Sequence, residues 1–166
     1  MAGLFYFYHM KIALWSVGRP HEAQMKAGIE EFTGRIGRYY PVTWVIIPVP
    51  KNAASLPEKE TKKKEGEAIL EKLAKEDVLV ALDEYGKMLS SEKLAGLIEE
   101  KANAGVKQLV FLIGGAFGLD EAVLKRSNFT WSLSQLTFPH QLVRLILAEQ
   151  IYRACSINRN EKYHHR

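Results

Sequence analysis

From Lys11 onward the chain alternates between two textures of apolar spacing. Short β-rich runs lie at 11–17, 42–49, 78–82, 108–113 and 130–133. Between them the segments 22–39, 57–75, 91–104 and 119–126 repeat their apolar residues at helical spacing, and a last helix is expected from 140 to about 156. Five strands alternating with helices predict βαβ units, hence an α/β fold with a mostly parallel sheet flanked by helices. The runs Val78-Leu-Val-Ala-Leu82 and Leu109-Val-Phe-Leu-Ile113 are continuously apolar, as strands buried on both faces require. No repeat or linker interrupts residues 10–166, which are therefore expected to form a single domain.

The first nine residues, Met-Ala-Gly-Leu-Phe-Tyr-Phe-Tyr-His, are aromatic but too short and too poorly flanked for a signal peptide. Met10, followed by Lys-Ile-Ala-Leu-Trp, reads as a start running directly into a strand, which makes 1–9 an expected N-terminal extension. The alternative is an edge strand, since Phe-Tyr-Phe-Tyr has strand composition. At 47% hydrophobic and 25% charged, the 166-residue chain has the composition of a soluble globular protein. No segment approaches the run of about 20 apolar residues that a membrane span needs, so no membrane partner is expected.

Charge adds a weak lean. The net value of +4 favours a polyanionic partner only slightly. Lys62, Lys63 and Lys64, mixed with Glu58, Glu60 and Glu65, read as the solvated start of a helix rather than a phosphate patch. Cys155 is the single cysteine, which excludes an intrachain disulfide and a multi-cysteine zinc site; no metal is expected, and a reducing, cytoplasmic setting is the simplest reading.

Ligands of such sheets bind beyond the carboxyl ends of the strands. Three segments stand there: Leu82-Asp-Glu-Tyr-Gly86, Gly114-Gly-Ala-Phe-Gly118 and Ser134-Gln-Leu-Thr-Phe-Pro-His140. The glycines allow close backbone approach, and a helix starting at Leu119 would present free N–H groups beside them. The order Gly-Gly-x-x-Gly after a fourth strand is neither a dinucleotide fingerprint nor a P-loop, and alone it is equally well a tight strand-to-helix turn. Asp83 and Glu84 are adjacent, so their side chains diverge; ribose binding or plain solvation suits them better than a catalytic pair. His140 is open to two readings, a helix-start residue packing locally or a base facing a substrate.

The last helix carries Leu142, Val143, Leu145, Ile146, Leu147 and Ile151, a stripe too wide for one core-facing side, and the surplus implies packing against a second copy. Arg153 has Glu149 four residues before it, the spacing of a local ion pair. Arg144 has no acid at 140 or 148 and is freer to contact an anion. The polar, basic tail 158–166 reads either as a disordered end or as an RNA-contacting segment in which Tyr163 stacks on a base.

The stretches Ile113-Gly-Gly-Ala-Phe-Gly-Leu119, Trp131-Ser-Leu-Ser-Gln-Leu-Thr-Phe-Pro-His140, Leu142-Val-Arg-Leu-Ile-Leu-Ala-Glu-Gln-Ile-Tyr-Arg-Ala154 and Tyr163-His164 together resemble the RlmH family. These are SPOUT-class methyltransferases that modify N3 of a pseudouridine in the large-subunit ribosomal RNA of bacteria. The resemblance runs from Met10 to the C-terminus. It implies a homodimer, a deep trefoil knot at the C-terminal end of the sheet and S-adenosylmethionine bound in the knot loops. Carried over by position, the cofactor contacts fall on Leu82, Gly114, Gly115, Leu133, Ser134, Gln135, Leu136, Thr137 and Phe138. On the acceptor side His140 is the candidate general base, with Arg144 or Arg153 and the tail residues Tyr163 and His164 placing the nucleotide across the dimer from the other subunit. The assembled ribosome in the cytoplasm is the implied substrate. Two departures stand out: Ala116-Phe117 replaces the Pro-Glu common in the family, and His165 separates His164 from Arg166. The alternatives are a SPOUT-fold RNA-binding dimer without this activity, or an enzyme acting on another RNA such as transfer RNA.

Overall fold

The computed structural model describes residues 10–165; the expected extension at 1–9, and Arg166, lie outside the described residues. The elements run β1 (Lys11–Val17), α1 (Ala23–Ile36), β2 (Val42–Ile47), a short 3-10 turn (Ala53–Ser55), α2 (Glu58–Lys72), β3 (Val78–Met88), α3 (Ser91–Asn103), β4 (Gln108–Ile113), α4 (Glu121–Arg126), β5 (Phe129–Ser132) and α5 (His140–Asn158). All strand pairs are parallel, in the order β2-β1-β4-β3-β5. The central strands β1 and β4 are buried on both faces, which is why their sequences lack polar alternation.

Strand periodicity then sorts the core into two layers. Ile12, Leu14, Leu109 and Phe111 face one side, where α1, α3 and α5 supply Ile36, Leu94, Ile98, Leu147 and Ile151. Ala13, Trp15, Val110 and Leu112 face the other, against Ile69 of α2 and Val123 of α4. Burying one such side chain, Phe111 for instance, contributes about 1.5–3 kcal/mol.

Two boundaries beside the strand ends differ from the sequence reading. β3 does not stop at Leu82: Val80, Ala81 and Leu82 pair with Phe129, Thr130 and Trp131, the register breaks, and Lys87 and Met88 pair with Trp131 and Ser132. The four residues between are pushed out of the ladder as a bulge, and Gly86 lies so close to β5 that a Cβ there would meet the Thr130 carbonyl at 2.7 Å. α4 begins at Glu121 rather than Leu119, because Leu119 is buried in the core and Asp120 takes the capping position, accepting from the Ala122 N–H at 3.4 Å. The amide groups expected beside the glycines are therefore those of a capped six-residue helix.

α5 lies against both α1 and α3. Its Leu147, Ala148, Ile151 and Cys155 are buried, whereas Leu142, Val143, Leu145 and Ile146 stay partly exposed. The chain leaves β5 at the sheet edge and returns across the ends of β3 and β4, so that the first turn of α5 meets the loop after β1. Gln141 accepts from the N–H of Glu22, the residue that opens α1, at 3.0 Å and donates to the Pro20 carbonyl at 3.3 Å. No helix among the described residues is long and apolar enough to cross a membrane.

Candidate functional site

The three strand-end segments converge with the start of α5 on one cleft of about 370 Å³. The glycine turn after β4 forms one side. Gly118 adopts φ +84°, a region that favours glycine, and its N–H donates to the Gly115 carbonyl at 3.1 Å, closing the turn. Gly114 and Gly115 face close neighbours: a Cβ at Gly114 would lie 2.9 Å from the Leu119 side chain, and one at Gly115 would run into the Glu65 carboxyl.

The bulge of β3 forms the opposite side, where Asp83 and Glu84 line the cleft; Asp83 Oδ2 accepts from the Tyr85 N–H at 3.1 Å and shapes the turn. The third side is the segment after β5. Ser134 Oγ accepts from the Leu136 N–H at 3.0 Å and its carbonyl accepts from Ser132 Oγ at 3.1 Å, so this serine is engaged in holding the loop. Of the nine residues expected to hold a cofactor, Leu82, Gly114, Gly115, Leu133, Ser134, Leu136, Thr137 and Phe138 line the cleft. Gln135 is exposed and does not.

His140 opens α5 and lines the same cleft. Burial, followed by the nearby Arg144 guanidinium, holds its ring below the ordinary histidine value of 6.5, so it is neutral at pH 7 and able to accept a proton. Arg144, one turn on, is not the free cation suggested by its sequence neighbours. It is 1% exposed, with Nε donating to Ser16 Oγ at 2.9 Å and Nη1 lying 3.2 Å from His21 Nδ1. Burial and Arg144 in turn push His21 down. Ser16 and His21 are site-supporting residues that sequence reasoning missed, since both lie more than 120 positions from Arg144.

The remaining expected residues gather elsewhere. Arg153 grips Glu149 through Nε at 3.0 Å and Nη2 at 2.6 Å, the ion pair read from their spacing. Tyr163 lies under the Arg153 guanidinium and donates its hydroxyl to the same Glu149 oxygen at 3.0 Å. His164 reaches Arg153 Nη1 at 3.1 Å and Glu92 at 3.1 Å. The tail up to His164 is thus docked on α5 and α3, which corrects the expectation of a disordered end. Along α5, Arg153 stands about 20 Å from His140 at ~1.5 Å rise per residue, so within one chain the two groups do not meet. A second cavity of about 250 Å³, lined by Tyr39 and Cys155 among others, holds none of the residues singled out as site candidates.

The cleft therefore offers apolar walls, backbone polar groups and a neutral imidazole. That set can enclose a small molecule and accept a proton from something at the rim.

A protein-family model described as "Predicted SPOUT methyltransferase" matches residues 10–164. A Cytophaga hutchinsonii protein named "Ribosomal RNA large subunit methyltransferase H" is 42% identical over 156 residues, spanning 94% of this chain and 100% of that protein. Proteins of the same name from Flavobacterium johnsoniae and Alkaliphilus oremlandii are each 44% identical, over 94% and 93% of this chain and 99% of their own. Among solved structures, a probable methyltransferase from Bordetella pertussis superposes with a TM-score of 0.56 at 13% identity, covering 93% of this chain and 98% of that one. A probable methylase family protein from Haemophilus influenzae gives 0.52 at 10% identity, over 96% and 72%. At these identities the two structures speak for the fold alone.

Proposed function

Because this chain belongs to the SPOUT methyltransferase family, we propose that it methylates N3 of a pseudouridine in large-subunit ribosomal RNA, with S-adenosylmethionine as donor. The observation that carries this reading is the cleft, whose size suits a ligand of that class and whose walls draw on all three strand-end segments together with His140. Leu82, Leu133, Leu136 and Phe138 supply apolar enclosure for a purine ring. The Gly114–Gly115 turn and the backbone around Ser134 and Thr137 supply polar contacts without intervening side chains. When bound, the sulfonium centre supplies an electrophilic methyl carbon with a neutral thioether as leaving group, so the chain's task is mainly alignment.

His140 would take the N3 proton on a ring nitrogen and so free the N3 electron pair for the methyl group that a bound donor would supply, its carbon–sulfur pair staying with sulfur. Burial and, after it, the buried Arg144 one turn on keep the imidazole neutral beforehand, and Arg144 is a positioning residue.

The remaining parts of the reading belong to the assembly. Arg153, Tyr163 and His164 place the nucleotide, and the separation along α5 is what makes the site composite. A second copy laid against the partly exposed Leu142 and Ile146 would carry the Arg153 cluster of one chain toward the His140 of the other. The return of the chain from edge strand β5 to the start of α5 supports a deep trefoil knot at the C-terminal end of the sheet. The substrate is the assembled ribosome, hence a cytoplasmic setting; a net charge of +4 gives little grip on naked RNA.

The test is transfer of a labelled methyl group from S-adenosylmethionine to purified bacterial ribosomes, with the nucleoside identified by mass spectrometry. N3-methylpseudouridine in large-subunit RNA is the expected product. Donor binding without transfer would mean a different RNA.

A further inference from the structure

Helix α2 carries two polar side chains that the reaction so far leaves idle. Thr61 and Glu65 are 2% and 4% exposed, and neither Thr61 Oγ1 nor Glu65 Oε2 has a hydrogen-bond partner. At i and i+4 they are neighbours on one face of the helix. That face meets the back of the glycine turn: a Cβ at Gly115 would fall 2.7 Å from Glu65 Oε1 and 3.0 Å from Cδ. Gly115 lines the cleft on its other side, so only a glycine backbone separates the carboxyl from the cavity.

A buried acid without a partner is costly, and a leucine or methionine would fill the same space without that cost. Its surroundings do not relieve it. The turn 114–118 has no titratable side chain. At the start of α4 stands Asp120, itself an acid, packed beside Gly66 of α2, with its carboxylate capping the Ala122 N–H. Lys62 and Lys64 share α2 with Glu65 but make no ion pair with it, and Asp83 and Glu84 across the cleft are acidic too. Burial alone pushes the Glu65 carboxyl up.

We propose that Glu65, supported by Thr61, is a specificity-determining residue behind the methyl-donor cleft, which favours the cationic sulfonium donor over the neutral thioether left after transfer. The inference rests on the donor cleft proposed above. The donor carries a carboxylate, an ammonium and a sulfonium, one net positive charge; loss of the methyl group as a cation equivalent leaves S-adenosylhomocysteine with none. An ionised Glu65 attracts the first across the glycine backbone and is indifferent to the second, so spent product is released while donor is retained. Thr61, one turn before Glu65 and likewise unpartnered, has a hydroxyl free to turn toward the carboxylate once it ionises and so lower the cost of the charge. Ionisation accompanies donor binding, so that binding releases a proton and strengthens as pH rises through the titration of the carboxyl.

The experiment is calorimetric titration of S-adenosylmethionine and S-adenosylhomocysteine into the wild-type protein, Glu65→Gln and Thr61→Val. The expected result for Glu65→Gln is a roughly tenfold fall in the donor-to-product affinity ratio with product affinity unchanged, and for Thr61→Val a smaller fall. Because His140, Asp83 and Glu84 line the same cleft and bear on both proteins alike, the readout is the wild-type ratio divided by that of Glu65→Gln, which grows as pH rises. An unchanged ratio in Glu65→Gln, an equal loss for both ligands, or a wild-type-to-variant quotient that does not change with pH overturns the proposal. Failure of the wild type to bind either ligand refutes instead the donor cleft on which it rests.

Discussion

Replacing Gly115 by alanine tests the packing behind the cleft directly. The added methyl would sit 2.7 Å from Glu65 Oε1, whereas ordinary contact begins near 3.4 Å, so the carboxyl or the turn must retreat by at least about 0.7 Å. Neither has an easy exit. Glu65 is 4% exposed in the middle of α2, and the turn is pinned by the Gly118 N–H to Gly115 carbonyl bond. Overpacking of this kind costs about 1–3 kcal/mol. At about 2–4 °C per kcal/mol for a domain of this size, Tm should fall by roughly 2–12 °C. Equilibrium urea unfolding of Gly115→Ala, Glu65→Ala and the double variant isolates the cause. Once the carboxyl is gone the methyl has room, so the double variant should recover at least about 1 kcal/mol relative to additivity. Gly96→Ala, on an open face of α3, is the control and should gain up to about 1 kcal/mol. A Gly115→Ala protein as stable as wild type, or one whose loss is the same without Glu65, would refute the reasoning.

His140→Ala should lower turnover about 100-fold while leaving donor affinity intact, and single-turnover rates with titrated donor separate the two effects. Because burial and Arg144 hold the ring below 6.5, and protonation removes the base, the acid limb of kcat/KM for ribosomes, measured at saturating donor so that donor binding does not contribute, should lie below pH 6.5; a limb above that value would exclude His140 as the base. Tyr163→Phe removes the hydroxyl bound to Glu149 but keeps the ring against Tyr152, so stability should drop only about 0.5–1.5 kcal/mol and kcat/KM for ribosomes should fall at unchanged donor affinity. The Cys155 thiol, pushed up to about 12 by burial, should stay unreactive toward a disulfide reagent at pH 8 and titrate fully on unfolding.

The strands were legible because their physics is local. A five-residue apolar run such as Leu109 to Ile113 suits a strand buried on both faces, and the helices between such runs dictate parallel pairing. The bulge after Leu82 was not, since it depends on a register with β5 that shifts between Leu82 and Lys87. Glu65 was misread for a related reason. Beside three lysines it looks solvated, and its burial follows only from the tertiary placement of a glycine turn some 50 residues on. Arg144 looked unpartnered because nothing within one helical turn could pair with it, whereas Ser16 and His21 come from the far end of the sequence. Glu149 and Arg153, by contrast, found each other at the predicted spacing.

The stitching of the end of β1 and the loop after it to the first turns of α5 also bears on how the protein comes into being. Ser16 and Arg144 are 128 positions apart, and Gln141 meets Pro20 and Glu22 across 121 and 119. Contacts of such span close only after almost the whole chain is available, and closing them carries the largest loop entropy. The β1–β4 pairing must therefore wait for the fourth strand, and the cleft for the last helix. During synthesis His140 has no formed pocket to enter until α5 has left the exit tunnel, so the protein acquires its site in one late step rather than by increments.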